Sequence, residues 1–95
     1  MRFFVIGTRG KVLEELTPES LQYELKCAAK LWKDDFIREI YNRTDGKGGV
    51  FVVEAETKEE VVEELGTLPM VRDGIMRLEV YGAQVWRAIE AIAEE

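Results

Sequence analysis

Two short runs, Phe3-Phe4-Val5-Ile6 and Val50-Phe51-Val52-Val53, are apolar at every position and rich in β-formers. A strand that buries only one face alternates apolar with polar residues, so both runs read as central strands that are apolar on both faces. A 95-residue chain is one domain of ordinary size, expected to span residues 1–95. Such a chain buries roughly 60–65% of its unfolded surface, a thin core.

The elements between these strands complete the pattern. Thr17-Pro18-Glu19 announces a helix, with Thr17 as N-cap and Pro18 at the first helical position. Leu21, Leu25, Ala28, Ala29 and Trp32 recur at helical spacing as its core stripe, with Tyr23, Cys27 and Leu31 as a second, weaker one. The helix should end near residues 33–35. Residues 36–43 have strand character from Ile37, Ile40 and Tyr41, and Asp45-Gly46 is a hairpin signal. Thr57-Lys58-Glu59-Glu60 is a capping box opening a second helix on Val61, Val62 and Leu65, which Leu68-Pro69 should stop. Residues 76–81 alternate as a half-polar strand, and a last amphipathic helix carries Val85, Trp86, Ile89 and Ile92. The order is β-α-β-β-α-β plus a C-terminal helix: an α+β, ferredoxin-like arrangement with a four-stranded antiparallel sheet and helices on one face.

That arrangement leaves one sheet face without helices, yet its two central strands are apolar there. An exposed patch of that extent needs a cover. A second copy stacking sheet on sheet is the economical one, so the chain itself is an expected partner, as a homodimer through the open face.

Composition narrows the chemistry. Nineteen acids against thirteen bases leave a net charge of −6, which opposes phosphate backbones and anionic membrane surfaces. No histidine is present, which removes imidazole catalysis and His metal sites; the single Cys27 excludes an intrachain disulfide and Cys-cluster metal centres. No metal site built on histidine or clustered cysteines is therefore expected. The run Phe3–Ile6 is too short for a signal peptide and no eighteen-residue apolar stretch occurs, so a cytoplasmic, reducing setting is the simplest expectation.

The hairpin fixes which polar groups share a face. A loop centred on Asp45-Gly46 pairs Arg43 with Gly48 and Tyr41 with Val50. One face then carries Ile37, Glu39, Tyr41, Val50, Val52 and Glu54; the helix side carries Phe36, Arg38, Ile40, Asn42, Phe51 and Val53. On the last strand Met76, Leu78 and Val80 face the helices, and Arg77, Glu79 and Tyr81 face away. Arg38 and Asn42 are placed at the edge of a helix-side cavity. Arg38 can grip a carboxylate bidentately, or extend from an edge strand into water. A carboxylate desolvated in the same cavity has its pKa raised and can shuttle a proton; Glu39 and Glu54 are the candidates. Alternatively Glu39, Glu54, Arg77 and Glu79 form ion pairs across a subunit interface.

Other motifs fail on context. Asp45-Gly46-Lys47-Gly48-Gly49 is followed by a strand where a phosphate loop requires a helix. Tyr41 and Arg43 occupy positions an EF-hand loop needs for acids. Gly49 and Glu54 stand where an RNA-recognition sheet places stacking aromatics.

Arg38 and Tyr41, the strand Val50-Phe51-Val52-Val53-Glu54, and Leu68-Pro69-Met70 before Met76-Arg77-Leu78-Glu79-Val80 form one further pattern in the second half. Over roughly residues 36–82 that pattern resembles the muconolactone isomerases. The resemblance implies a dimeric α/β barrel in which two ferredoxin-like sheets pack face to face, often as rings of dimers. It also implies a cofactor-free proton shift in a small lactone bearing a carboxylate, with Arg38 at the position of the family's second-strand arginine. Glu39 stands where that family has a histidine, and Asn42 where it has a basic residue. On this reading Arg38, Tyr41 and Asn42 bind substrate and Glu39 or Glu54 moves the proton. A non-catalytic small-ligand-binding protein, or one whose charged face serves assembly alone, are the alternatives.

Overall fold

A computed structural model describes residues 1–10 and 16–94. Its elements are β1 (Arg2–Arg9), α1 (Pro18–Lys33), β2 (Ile37–Asn42), β3 (Gly48–Glu54), α2 (Lys58–Leu65), α3 (Pro69–Arg72), β4 (Met76–Ala83) and α4 (Arg87–Ala93). The strands form one antiparallel sheet in the order β2-β3-β1-β4. The two uninterrupted apolar runs are thus the two inner strands, and the half-polar ones are the edges. This is the ferredoxin-like α+β arrangement.

Helix α1 starts as its sequence dictates: Thr17 accepts the Ser20 amide at 3.1 Å and Pro18 opens the first turn. It ends at Lys33 with Asp34 as C-cap, and Asp35 follows in the left-handed region at φ 61°. Aspartate is one of the few side chains that tolerate that conformation. The Phe36 amide then bonds back to the Leu31 carbonyl at 3.0 Å, which swings Phe36 into the core.

This cap also sets the rotation of α1, and the core stripe differs from the one expected. Leu31 is buried, with Leu21, Cys27 and Ala28 packed against the core, whereas Leu25 and Trp32 are 69% and 58% exposed. The helix is rolled by about one position, because the cap anchors Leu31 and a Glu24 carboxylate accepts the Met70 amide from α3 at 3.3 Å.

The ladder holds a second departure. Tyr41 pairs with Val50 as expected, but a bulge lies between Ile37 and Glu39. Arg38 is the extra residue, so Ile37 joins the helix side opposite Val53 and is 1% exposed, instead of sharing the face of Glu39. Both Phe36 and Ile37 are therefore core residues. Pro69 also does more than stop α2, since it is the first residue of α3, with Leu68, Pro69 and Met70 all buried.

The core lies between the sheet and α1–α3, built on Phe3, Val5, Phe51, Val53, Val61 and Leu65. Helix α4 buries none of its residues. The molecule measures 55 × 27 × 20 Å, with a radius of gyration of 15.3 Å, where a compact chain of this length has about 12 Å. Among the described residues no helix is long and apolar enough to cross a membrane.

Candidate functional site

The β1–β3 and β1–β4 registers place Arg2, Phe4, Ile6 and Thr8 of β1 on the face opposite the helices, with Val50, Val52 and Glu54 of β3 and Arg77, Glu79 and Tyr81 of β4. Glu39 and Tyr41 of β2 join them. Read across the sheet, Glu39, Val52, Phe4 and Tyr81 form one row, and Tyr41, Val50, Ile6 and Glu79 form the next. An apolar strip thus runs between two polar margins. Phe4 is 43% exposed, while Val52 is 4% exposed, shielded by its neighbours on this face.

Each margin holds a carboxylate–phenol pair. The Tyr41 hydroxyl donates to Glu39 Oε1 on β2, and the Tyr81 hydroxyl donates to Glu79 Oε2 at 2.8 Å on β4. Residues two apart on a strand point the same way, so an Glu-x-Tyr spacing suffices to bring them together. The hydrogen bond to the carboxylate, and the carboxylate's charge, raise the pKa of both phenols. At neutral pH each tyrosine is a fixed O–H donor.

The five residues expected to form a site divide into three groups. Glu39 and Tyr41 are in direct contact. Arg38, on the bulge beside them, is exposed and donates from Nε to the Asp35 carbonyl at 2.8 Å; Asn42 is exposed on β2 opposite Gly49. Because β2 is an edge strand, these residues reach the same sheet margin from its two sides.

Glu54 behaves otherwise. Its carboxylate takes the Met1 amino group at 3.3 Å and Arg2 Nε at 3.0 Å. The ammonium hydrogen bond, followed by Arg2, lowers its pKa. The upward shift expected of a proton-shuttling carboxylate is reversed there, because two cations sit on it instead of a dry apolar wall. The register nevertheless leaves Glu54 on the same face as Glu39, two residues along β3 from Val52.

A feature the sequence reading missed lies at the opposite margin. A cleft of about 500 Å³ runs between α2 and the outer edge of β4, floored by Val62, Val71, Leu78 and Val80. Lys58 borders it on α2, and Glu79 with Tyr81 on β4. Alternation on β4 was legible, but a cleft depends on how far α2 stands from that edge, which no local pattern encodes. The buried flank of α1 was equally hidden: burial there raises the pKa of Glu24, the Met70 amide and Arg72 only partly offsetting it.

No protein-family profile matches the chain, and no curated protein does. Solved structures do. Muconolactone isomerase superposes with a TM-score of 0.69 at 21% identity, over 87% of this chain and 88% of that one. A 5-chloro-2-hydroxyhydroquinone dehydrochlorinase from Burkholderia phenoliruptrix AC1100, solved with 2,5-dihydroxybenzoquinone, superposes with a TM-score of 0.60 at 18% identity, over 93% and 98%. At these identities the likeness is one of fold. The resemblance carried by residues 36–82 therefore extends, as architecture, over most of the chain.

Proposed function

We propose that this chain, built on the muconolactone isomerase fold, is a cofactor-independent isomerase-like enzyme that shifts a proton within a small carboxylated lactone or related metabolite. The Glu39–Tyr41 pair carries the reading: a carboxylate next to a protonated phenol, on a sheet margin that borders an apolar strip, with a guanidinium on the adjacent bulge. The fold shared with an isomerase and a dehydrochlorinase supports small-molecule metabolism as its setting. A homodimer through the open face, repeated in a ring of dimers, would bring a second sheet over Phe4 and Ile6 and take water away from the pair. A cytoplasmic location fits a chain whose one cysteine, Cys27, is free.

In this scheme Arg38 binds the substrate carboxylate with the fork left over from its bond to Asp35. Glu39 removes a proton from the carbon next to the lactone carbonyl. The electron pair moves onto the carbonyl oxygen as an enolate; once Glu39 is protonated, the single O–H of Tyr41 is released from that carboxylate and turns to donate to the enolate. The carbon–carbon double bond relocates, and Glu39 returns the proton further along the conjugated system, so atoms and charge balance without oxidant or reductant. Asn42 orients the ring. Glu54, held ionised by its two cations, is not the proton carrier.

The test is turnover of a panel of carboxylated lactones in D2O, followed by NMR. Arg38→Ala should raise KM or abolish turnover, and Glu39→Gln should lower kcat by about 10²–10⁴, the range of general acid–base catalysis, while native mass is unchanged. Full activity in Arg38→Ala removes Arg38 from the scheme, and unchanged kcat in Glu39→Gln ends it. Ligand binding without any deuterium exchange in the unmodified protein would favour a binding protein instead.

A further inference from the structure

We infer that the end row of the open face, Arg43-Gly48-Thr8-Arg77, binds a phosphoryl dianion, either inorganic phosphate or the phosphate group of a small monoester. The inference goes beyond the catalytic reading and uses residues which that reading leaves idle. Thr8 pairs with Gly48 of β3 and with Arg77 of β4, and the Arg43 amide bonds the Gly48 carbonyl at 2.9 Å, so the four positions lie side by side across the sheet. They keep the alternation of Tyr41, Val50, Ile6 and Glu79, and therefore belong to the open face. The row lies two residues along β1 from Ile6, about 7 Å beyond the apolar strip. An ion held there sits at the rim of that strip and leaves its middle free.

Gly48 has no side chain, and the partly buried Arg43 guanidinium crosses β3 in the space this leaves. Its Nη1 donates to Thr8 Oγ1 at 2.8 Å and to the Gly7 carbonyl at 3.4 Å, and its Nη2 donates to Asp45. A guanidinium has five N–H groups, so the one on Nε and one on Nη2 stay available. The Thr8 hydroxyl accepts from Arg43, which leaves its own proton to donate. Arg77 stands about 5 Å from Thr8 across the β1–β4 pair, and it has no ion-pair partner among the described residues. One fixed guanidinium, one free guanidinium on the opposite side and a hydroxyl between them thus present donors from three directions. A tetrahedral dianion engages all three, whereas a planar carboxylate is filled by a single fork. The surrounding charge has the same sign. Arg9 donates to the Gly46 carbonyl at 2.6 Å and Lys47 follows in the hairpin, so among the described residues four cations here face one carboxylate, Asp45. The net charge of −6 opposes a polyanion, but a small ion feels chiefly the charges within a Debye length, about 8 Å.

The experiment titrates the isotope-labelled full chain with inorganic phosphate, ethyl phosphate or acetate at constant ionic strength, followed by backbone amide NMR. The expected result is saturable shifts at Thr8, Gly48 and Arg77 with phosphate, and weaker binding of acetate. Arg77 is exposed on an edge strand, so its replacement leaves the core intact. Arg77→Ala should weaken phosphate binding about tenfold or more, and Arg77→Lys should recover part of the loss, since it keeps the charge without the fork. Ethyl phosphate bound at least as tightly as the free ion assigns the row to a phosphorylated metabolite; its exclusion assigns the row to free phosphate. Absence of saturable shifts overturns the inference, as does acetate bound as tightly as phosphate, or Arg77→Ala binding phosphate unchanged. Loss of the native dimer mass in Arg77→Ala, with no phosphate shifts in the unmodified protein, also overturns it and makes Arg77 half of an ion pair between subunits. Neither the probe nor the variant touches the proposed turnover at Glu39, so failure here leaves the catalytic reading standing, and the converse holds.

Discussion

Gly48 opens β3 opposite Thr8 of β1, and substituting it tests the sheet directly. A methyl group there would overlap the Gly7 carbonyl oxygen and lie 2.8 Å from its carbon, both backbone atoms of the paired strand. The residue also sits at φ +155°. Neither atom can yield without parting the β1–β3 ladder. Overpacking costs about 1–3 kcal/mol and the backbone conformation about 1–3 kcal/mol more, so Gly48→Ala should lose roughly 2–6 kcal/mol. In a domain of this size that lowers Tm by roughly 8 °C or more. Gly46, two residues away in the hairpin turn, is the control. Its φ is +74°, but nothing lies within 4 Å of an added Cβ, so Gly46→Ala should cost only the left-handed penalty of about 1–2 kcal/mol. Urea unfolding read by far-UV circular dichroism separates the two, and is preferable to fluorescence because Trp32 and Trp86 are exposed. Equal destabilisation of the two variants would refute the close approach of β3 to β1 at Gly48.

Leu65 is fully buried in the core, and Leu65→Ala should cost about 2–5 kcal/mol in the same assay. Glu24 has a folded pKa raised above its unfolded value, chiefly by burial. The stability this gives the neutral carboxyl is present below the unfolded pKa and is lost as pH rises through the folded one. Glu24→Gln should therefore be the more stable form at pH 7, and its Tm advantage should vanish near pH 4. Asp45 runs the other way: the Lys47 amide, then Arg43, lower its pKa. Its contribution is present above the unfolded pKa and is lost as pH falls through the folded value. The Tm gap between the unmodified protein and Asp45→Asn should then close in acid.

Local chemistry made much of this fold legible. Thr17 and Pro18 start α1, Asp45-Gly46 closes the hairpin, and the alternation of β4 sends Leu78 inward and Glu79 outward, each decided within a few residues. What escaped was decided by contacts distant in sequence. The bulge at Arg38 has no glycine or proline to announce it; it exists because Phe36 is delivered by the α1 cap while Tyr41 is held by the hairpin, leaving one residue too many between them. The roll of α1 depends on Glu24 meeting Met70, forty-six residues away. For the site, Glu39–Tyr41 was within reach because residues two apart on a strand share a face. The cations on Glu54 were not, since they depend on the pairing of Arg2 with that residue across β1 and β3. The α2–β4 cleft was hidden for the same reason.

The two rows of the open face have a property of their own. Glu39-Val52-Phe4-Tyr81, read backwards, is Tyr81-Phe4-Val52-Glu39, and the neighbouring row Tyr41-Val50-Ile6-Glu79 has that same chemical order. The edge strands β2 and β4 run in opposite directions, so the surface has a local dyad through its centre, perpendicular to the sheet. Such a surface is a palindrome: a second sheet laid on it meets nearly the same groups in either of two orientations half a turn apart. The central rows cannot choose between them. The choice falls to the outer rows, where Arg2 and Glu54 mark one end and Thr8 and Arg77 the other. Residues remote from the proposed chemistry thus hold the information that makes one stacking orientation unique.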